Sequence, residues 1–140
     1  MRLPDGPDLG LLLIRTDYSS QDAWHRALGA ATTIYPGDDW RNGALLTPVE
    51  APELSALTPN DILHLPRECY LSAVAVADEQ SMRDDTILFL DLNEFGGEIG
   101  RTFRAIPREI EPITANLSLA NMDFSDFADN ADADGIFRGF

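Results

Sequence analysis

Three short apolar runs constrain this chain more than any other feature: Leu11-Leu-Leu-Ile-Arg-Thr16, Leu71-Ser-Ala-Val-Ala-Val-Ala-Asp78 and Thr86-Ile-Leu-Phe-Leu-Asp-Leu92. Each has the length of a strand rather than of a helix. The second and third are almost continuously apolar, the pattern of strands covered on both faces, so they are expected at the centre of a sheet. The first is followed by Asp17-Tyr-Ser-Ser20, whose side chains can cap a helix. A helical pattern then places Ala23, Trp24, Ala27, Leu28 and Ala31 on one face, with Trp24 pointing inward.

Weaker signals fill in the rest. Ala44 to Val49 reads as a short edge strand, because Pro48 cannot donate to a central ladder. Thr58-Pro59 opens a short helix that stops at Pro66. Gly96-Gly97 and Gly100 mark a loop leading to an antiparallel partner, Arg101 to Ile106, for the preceding strand. A helix is expected from about Pro112, and another from Asp123, with Phe124, Phe127, Ala128 and Ala131 facing inward. Gly135 ends that segment and leaves Ile136 to Phe140 as an apolar tail that must pack somewhere. These elements predict an α/β or α+β fold. It would be a single globular domain over residues 1–140, a three-layer arrangement with a mixed, partly parallel sheet flanked by helices.

Composition limits function. The 140 residues carry a formal net charge of −14, with ten Arg and no Lys against 24 acidic residues, a balance that repels nucleic acid and anionic membranes and suits a basic protein partner. Without Lys, Schiff-base catalysis and a P-loop are unavailable. A single Cys, Cys69, and no CxxC pair point to a reduced cytoplasmic protein in which Cys69 is a buried small hydrophobe. The start of the chain lacks a signal-peptide pattern, and no apolar stretch approaches the roughly 20 residues needed to span a bilayer.

The stretch Asn116-Leu-Ser-Leu-Ala-Asn-Met-Asp-Phe-Ser-Asp-Phe-Ala-Asp-Asn-Ala-Asp-Ala-Asp-Gly-Ile-Phe-Arg-Gly-Phe140 resembles the C-terminal signature of a family of small actinobacterial cytoplasmic proteins known as a domain of unknown function. The resemblance extends to Leu13-Ile-Arg-Thr-Asp17 and to the Leu90-Asp-Leu92 strand, and is lost across residues 33–56. It implies an architecture, and it supplies neither an activity nor catalytic residues.

Four constellations are candidates for function. Asp17, Asp78 and Asp91 lie at or near strand ends; if those strands are parallel, the acids open onto one crevice, where open α/β sheets bind ligands and where Mg²⁺ or a small molecule could sit. The plainer alternative is a helix cap at Asp17 and solvated strand ends at the other two. Asn130 to Gly135 has the opening spacing of a calcium loop but lacks the twelfth-position acid. His25 and His64 match no zinc or acid–base spacing, although His25 with Asp22 is a conceivable base pair. Finally, Asp38, Asp39 and Trp40, with Asp22, offer an acidic rim around an aromatic anchor, a combination suited to protein docking.

The reading that follows is a non-enzymatic acidic module, inhibitor- or immunity-like, that engages a basic protein and needs no cofactor. The strand-end site is the alternative, and a homo-oligomer built through the C-terminal tail is a third arrangement.

Overall fold

A computed structural model describes residues 1–36 and 43–140 of the chain. Its centre is one six-stranded mixed sheet in the order β2-β1-β3-β4-β5-β6. The strands are β1 (Leu11–Arg15), β2 (Leu46–Val49), β3 (Ala73–Ala77), β4 (Ile87–Asp91), β5 (Thr102–Ala105) and β6 (Ile136–Phe137). β1 is parallel to both β2 and β3, β4 is antiparallel to β3 and β5, and β6 is parallel to β5. The edge assignment of β2, the central position of β3 and β4 and the β4–β5 pairing follow the sequence pattern.

Helices α1 (Gln21–Thr32), α3 (Glu79–Asp84), α4 (Pro107–Ser118) and α5 (Phe124–Ala128) lie on one face of the sheet; a 3₁₀ turn (Pro52–Leu54), α2 (Pro59–Leu63) and the N-terminal segment cover the other. Because strand side chains alternate, each central strand feeds both cores. Leu13, Ala75, Phe89 and Phe103 meet Trp24, Ile110, Ile113 and Phe127 on the first face. Ile14, Val74, Val76, Leu88 and Leu90 meet Leu3, Leu54 and Ile62 on the second. Trp24 is buried, as its helical spacing requires.

Two helices depart from expectation. α3 was not legible as a helix, since its six residues are too few to show a period. It is held by a reciprocal capping box between Asp78 and Ser81. α4 begins at Pro107, not at Pro112, which lies inside it. Pro112 cannot donate to the carbonyl of Arg108, but burial of Ile110 and Ile113 on the sheet holds the helix across that gap.

The C-terminal tail packs on its own chain. Ile136 and Phe137 add β6 to the edge of the sheet, and the rings of Phe137 and Phe140 lie 5.4 and 5.8 Å from that of Phe127. Phe127 is in turn 6.1 Å from Phe103, so one aromatic chain connects the tail to the core. No helix among the described residues is long and apolar enough to cross a membrane.

Candidate functional site

The parallel strands β1, β2 and β3 deliver their carboxyl ends to one end of the sheet. The chain starts a new helical segment after each of them, so the N-termini of α1, the 3₁₀ turn, α2 and α3 gather there. Each has an acid in its first turn: Asp22, Glu53, Asp61 and Glu79. The partial positive charge of a helix N-terminus favours carboxylates at these positions. The acidity of this end is thus a product of local helix chemistry collected by the topology. A cleft of about 630 Å³ opens between the segments, and Thr16, Asp17, Tyr18, Thr58, Asp78 and Glu79 contribute to its lining.

Arg15, the last residue of β1, ties together the segments that lead into the cleft. It is a buried residue at 2% exposure. Its Nε donates to the Asp17 carbonyl (2.9 Å), and Nη1 donates to Gln21 Oε1 (3.0 Å) and Glu50 Oε1 (2.7 Å). The guanidinium lies 4.4 Å from the Tyr18 ring centroid and 5.0 Å from that of Trp24, a double cation–π contact. The Tyr18 hydroxyl donates to the Ala51 carbonyl (3.0 Å) and accepts from the Ala51 amide (2.9 Å). Arg15 therefore joins the loops after β1 and β2.

Asp17 and Asp78 both line this cleft, but neither is an unengaged ligand. The Asp17 carboxylate accepts the Ser19 amide (3.0 Å) and the Ser19 hydroxyl, and the cap of α1 is Ser20, which accepts from Ala23 (3.0 Å). Asp78 caps α3 and is held by both terminal nitrogens of Arg104. Burial by itself would raise the Asp78 carboxyl, but the Arg104 guanidinium and the Ser81 bonds outweigh it and hold it below the ordinary range. Asp84, the last residue of α3, is likewise lowered despite partial burial, by bonds from Thr86 and Gln80 and by the charge of Arg104.

Asp91 is at the other end of the sheet. β4 runs antiparallel to β3, and Asp91 is level with Ala73 at that strand's start. The condition under which the three acids would share a crevice, parallel strands, is not met, and Asp91 does not converge with Asp17 and Asp78 on one Mg²⁺. Asp91 is not a solvated strand end either: it is 1% exposed, and its oxygens accept the amides of Asn93 (2.9 Å) and Glu98 (2.8 Å), organising the Gly-rich loop. Among the described residues no three His, Cys, Asp or Glu side chains are grouped to hold a metal ion.

The remaining candidates separate as well. Asp22 is exposed in the first turn of α1, and Asp38, Asp39 and Trp40 lie outside the described residues. His25 contacts Gln21 (3.1 Å), and His64 contacts the Asn60 carbonyl (2.7 Å). In the calcium-like segment, Asp132 and Asp134 are bonded to Arg138 (2.6 and 2.7 Å), so an internal guanidinium occupies the acids. Cys69 is exposed, contrary to its expected burial. A hydrogen bond to Asp5 and the charge of Asp5 raise its thiol above the ordinary value.

Sequence reasoning missed Arg15 and Arg104, the two cations that organise the strand-end cleft. The available signal was an Arg inside an otherwise apolar strand, a position that requires several acceptors.

No curated protein and no solved structure matches the chain. Residues 10–140 match the family described as Domain of unknown function (DUF6924), and the chain belongs to that family.

Proposed function

We propose that this chain is an acidic protein-binding module without catalysis of its own, which neutralises or positions a basic protein through the carboxyl-end face of its sheet. The supporting observation is the distribution of ion pairs. Arg2, Arg15, Arg26, Arg67, Arg101, Arg104 and Arg138 each pair with an acid of their own chain. Asp22, Glu53 and Glu79 form no ion pair among the described residues; Glu79 lines the strand-end cleft with Tyr18, and Asp22 and Glu53 stand in the first turns of helical segments that start at the same end of the sheet. Uncompensated charge of one sign on one face steers a partner of the opposite sign and makes association salt-dependent.

The test is capture of a stoichiometric partner from the host by the immobilised full chain, followed by association kinetics with that purified partner. Neutralising the face with Asp22→Asn, Glu53→Gln and Glu79→Gln together should slow association about tenfold and flatten its salt dependence. A second variant, with Asp38, Asp39 and Trp40 replaced by Ala, should speed dissociation if those residues supply the anchor. Failure to capture any stoichiometric partner, or an association rate indifferent to salt and to the first variant, refutes the reading.

A further inference from the structure

We propose that the cleft over Asp91, at the opposite end of the sheet, binds a small organic cation, an alkylammonium or guanidinium group. This site is independent of the acidic face above.

The cleft has a volume of about 370 Å³ and lies between the start of β3, the loop after β4 and the turn joining α4 to α5. Asp91 is one of its lining residues and the only buried charge in that lining. A carboxylate offers about four acceptor positions, and two are filled by the Asn93 and Glu98 amides. No cation pairs with it among the described residues. The arginines flanking this loop are turned to other acids, Arg67 to Glu94 at 3.8 Å and Arg101 to Glu98 at 3.2 Å. Residue 97 is a glycine whose hypothetical Cβ would stand 2.6 and 2.8 Å from Asn93 Cβ and its carbonyl oxygen and 2.9 Å from Asp91 Oδ1. Any side-chain-bearing residue there would cover the carboxylate from that direction.

The surroundings specify an organic cation. Leu117, Met122 and Phe124 supply apolar wall, which suits the carbon stem of an amine and offers nothing to a hydrated metal ion. Tyr70, 50% exposed, lines the cleft, and behind it Phe95 packs 5.3 Å away at 78% exposure. An exposed tyrosine ring in the same cleft as a buried carboxylate combines cation–π attraction with a charge-assisted hydrogen bond. The charged side chains of the lining are all acidic, Asp91, Glu98 and Asp123, and burial, followed by the charges of Asp91 and Glu94 and opposed by that of Arg67, raises the Tyr70 hydroxyl above its ordinary value. Anionic ligands are correspondingly disfavoured.

The experiment is an amide-resolved NMR titration of the full chain with n-butylguanidinium, with 1-butanol as the uncharged analogue. Saturable shifts are expected at Asn93, Gly97, Glu98 and Phe124 with the cation and not with the alcohol. Asp91→Asn should weaken binding at least about tenfold, the scale of a lost charged hydrogen bond. Because that amide would point a donor at a loop N–H, a second variant leaves the loop intact. Ser72→Trp replaces an exposed lining residue whose hydroxyl makes no hydrogen bond among the described residues, and it should plug the cleft and abolish the shifts. Absence of saturable shifts in the unmodified protein, equal binding of 1-butanol, or binding that survives Ser72→Trp overturns the proposal. A parallel titration with acetyl-Gly-Arg-Gly-amide identifies the source. Tighter binding than n-butylguanidinium assigns the site to a protein side chain, and weaker binding assigns it to a free small-molecule cation.

Discussion

Replacing Arg104 by Met should destabilise the protein by about 2 kcal/mol at neutral pH, and most of that loss should vanish in acid. Arg104 is level with Leu88 on the neighbouring strand and reaches beyond it to Asp78, where both terminal nitrogens bond the carboxylate. The two side chains are 15% and 23% exposed. That places the pair between exposed ion pairs, worth about 0–1 kcal/mol, and buried ones, whose disruption costs about 3–5 kcal/mol. Met retains the apolar stem and so isolates the charge. A loss of about 2 kcal/mol is roughly a 30-fold change in the folding equilibrium, or about 6–8 °C in Tm for a chain of this length.

The sign with pH follows from the Asp78 carboxyl, which is lowered in the folded protein. Its stabilisation is fully present above the ordinary carboxyl value, about 3.9. It disappears as pH falls through the lower folded value, where the acid protonates and the guanidinium faces a neutral group. Urea unfolding of the wild type and Arg104→Met at pH 7 and again near the acid limit of folding measures the difference. The gap between the two proteins should narrow to under about 1 kcal/mol in acid. An equal gap at both pH values would assign the loss to packing of the stem and refute the ion-pair reasoning.

Two further outcomes follow from the packing and from Cys69. Phe127→Ala removes the buried ring that contacts Phe103, Phe137 and Phe140; it should cost about 3–5 kcal/mol in chemical denaturation and speed hydrogen exchange at the β5–β6 pairing before that at β3. For Cys69, removal of the Asp5 hydrogen bond and charge by Asp5→Asn should lower the thiol toward its ordinary value. Alkylation by iodoacetamide at mildly alkaline pH, followed by mass spectrometry, should then run several-fold faster than in the wild type, because the thiolate is the reacting species; an unchanged rate would show that Asp5 does not control it.

Much of the layered fold was legible because it rests on local rules. Continuous apolar runs placed β3 and β4 between two cores, Pro48 placed β2 at an edge, and Thr58-Pro59 and Asp123 marked the starts of α2 and α5. The site was less legible. Asp17, Asp78 and Asp91 are similar in sequence, each near the end of an apolar run, and only strand direction separates them. A reversal between β3 and β4 sends Asp91 to the opposite end, where loop amides bury it.

By itself, then, the sequence determined strands β1 to β5, most helix starts, the inward side of α1 and the acidity of the chain, since period, capping and charge act over a few residues. Tertiary structure alone decided that Ile136–Phe137 forms a sixth strand, that Pro112 lies within a helix, and that Arg104 reaches across a strand to Asp78. Those outcomes depend on burial and pairing between segments far apart in the chain, where the free energy of contact outweighs local preference and has no signature within either segment.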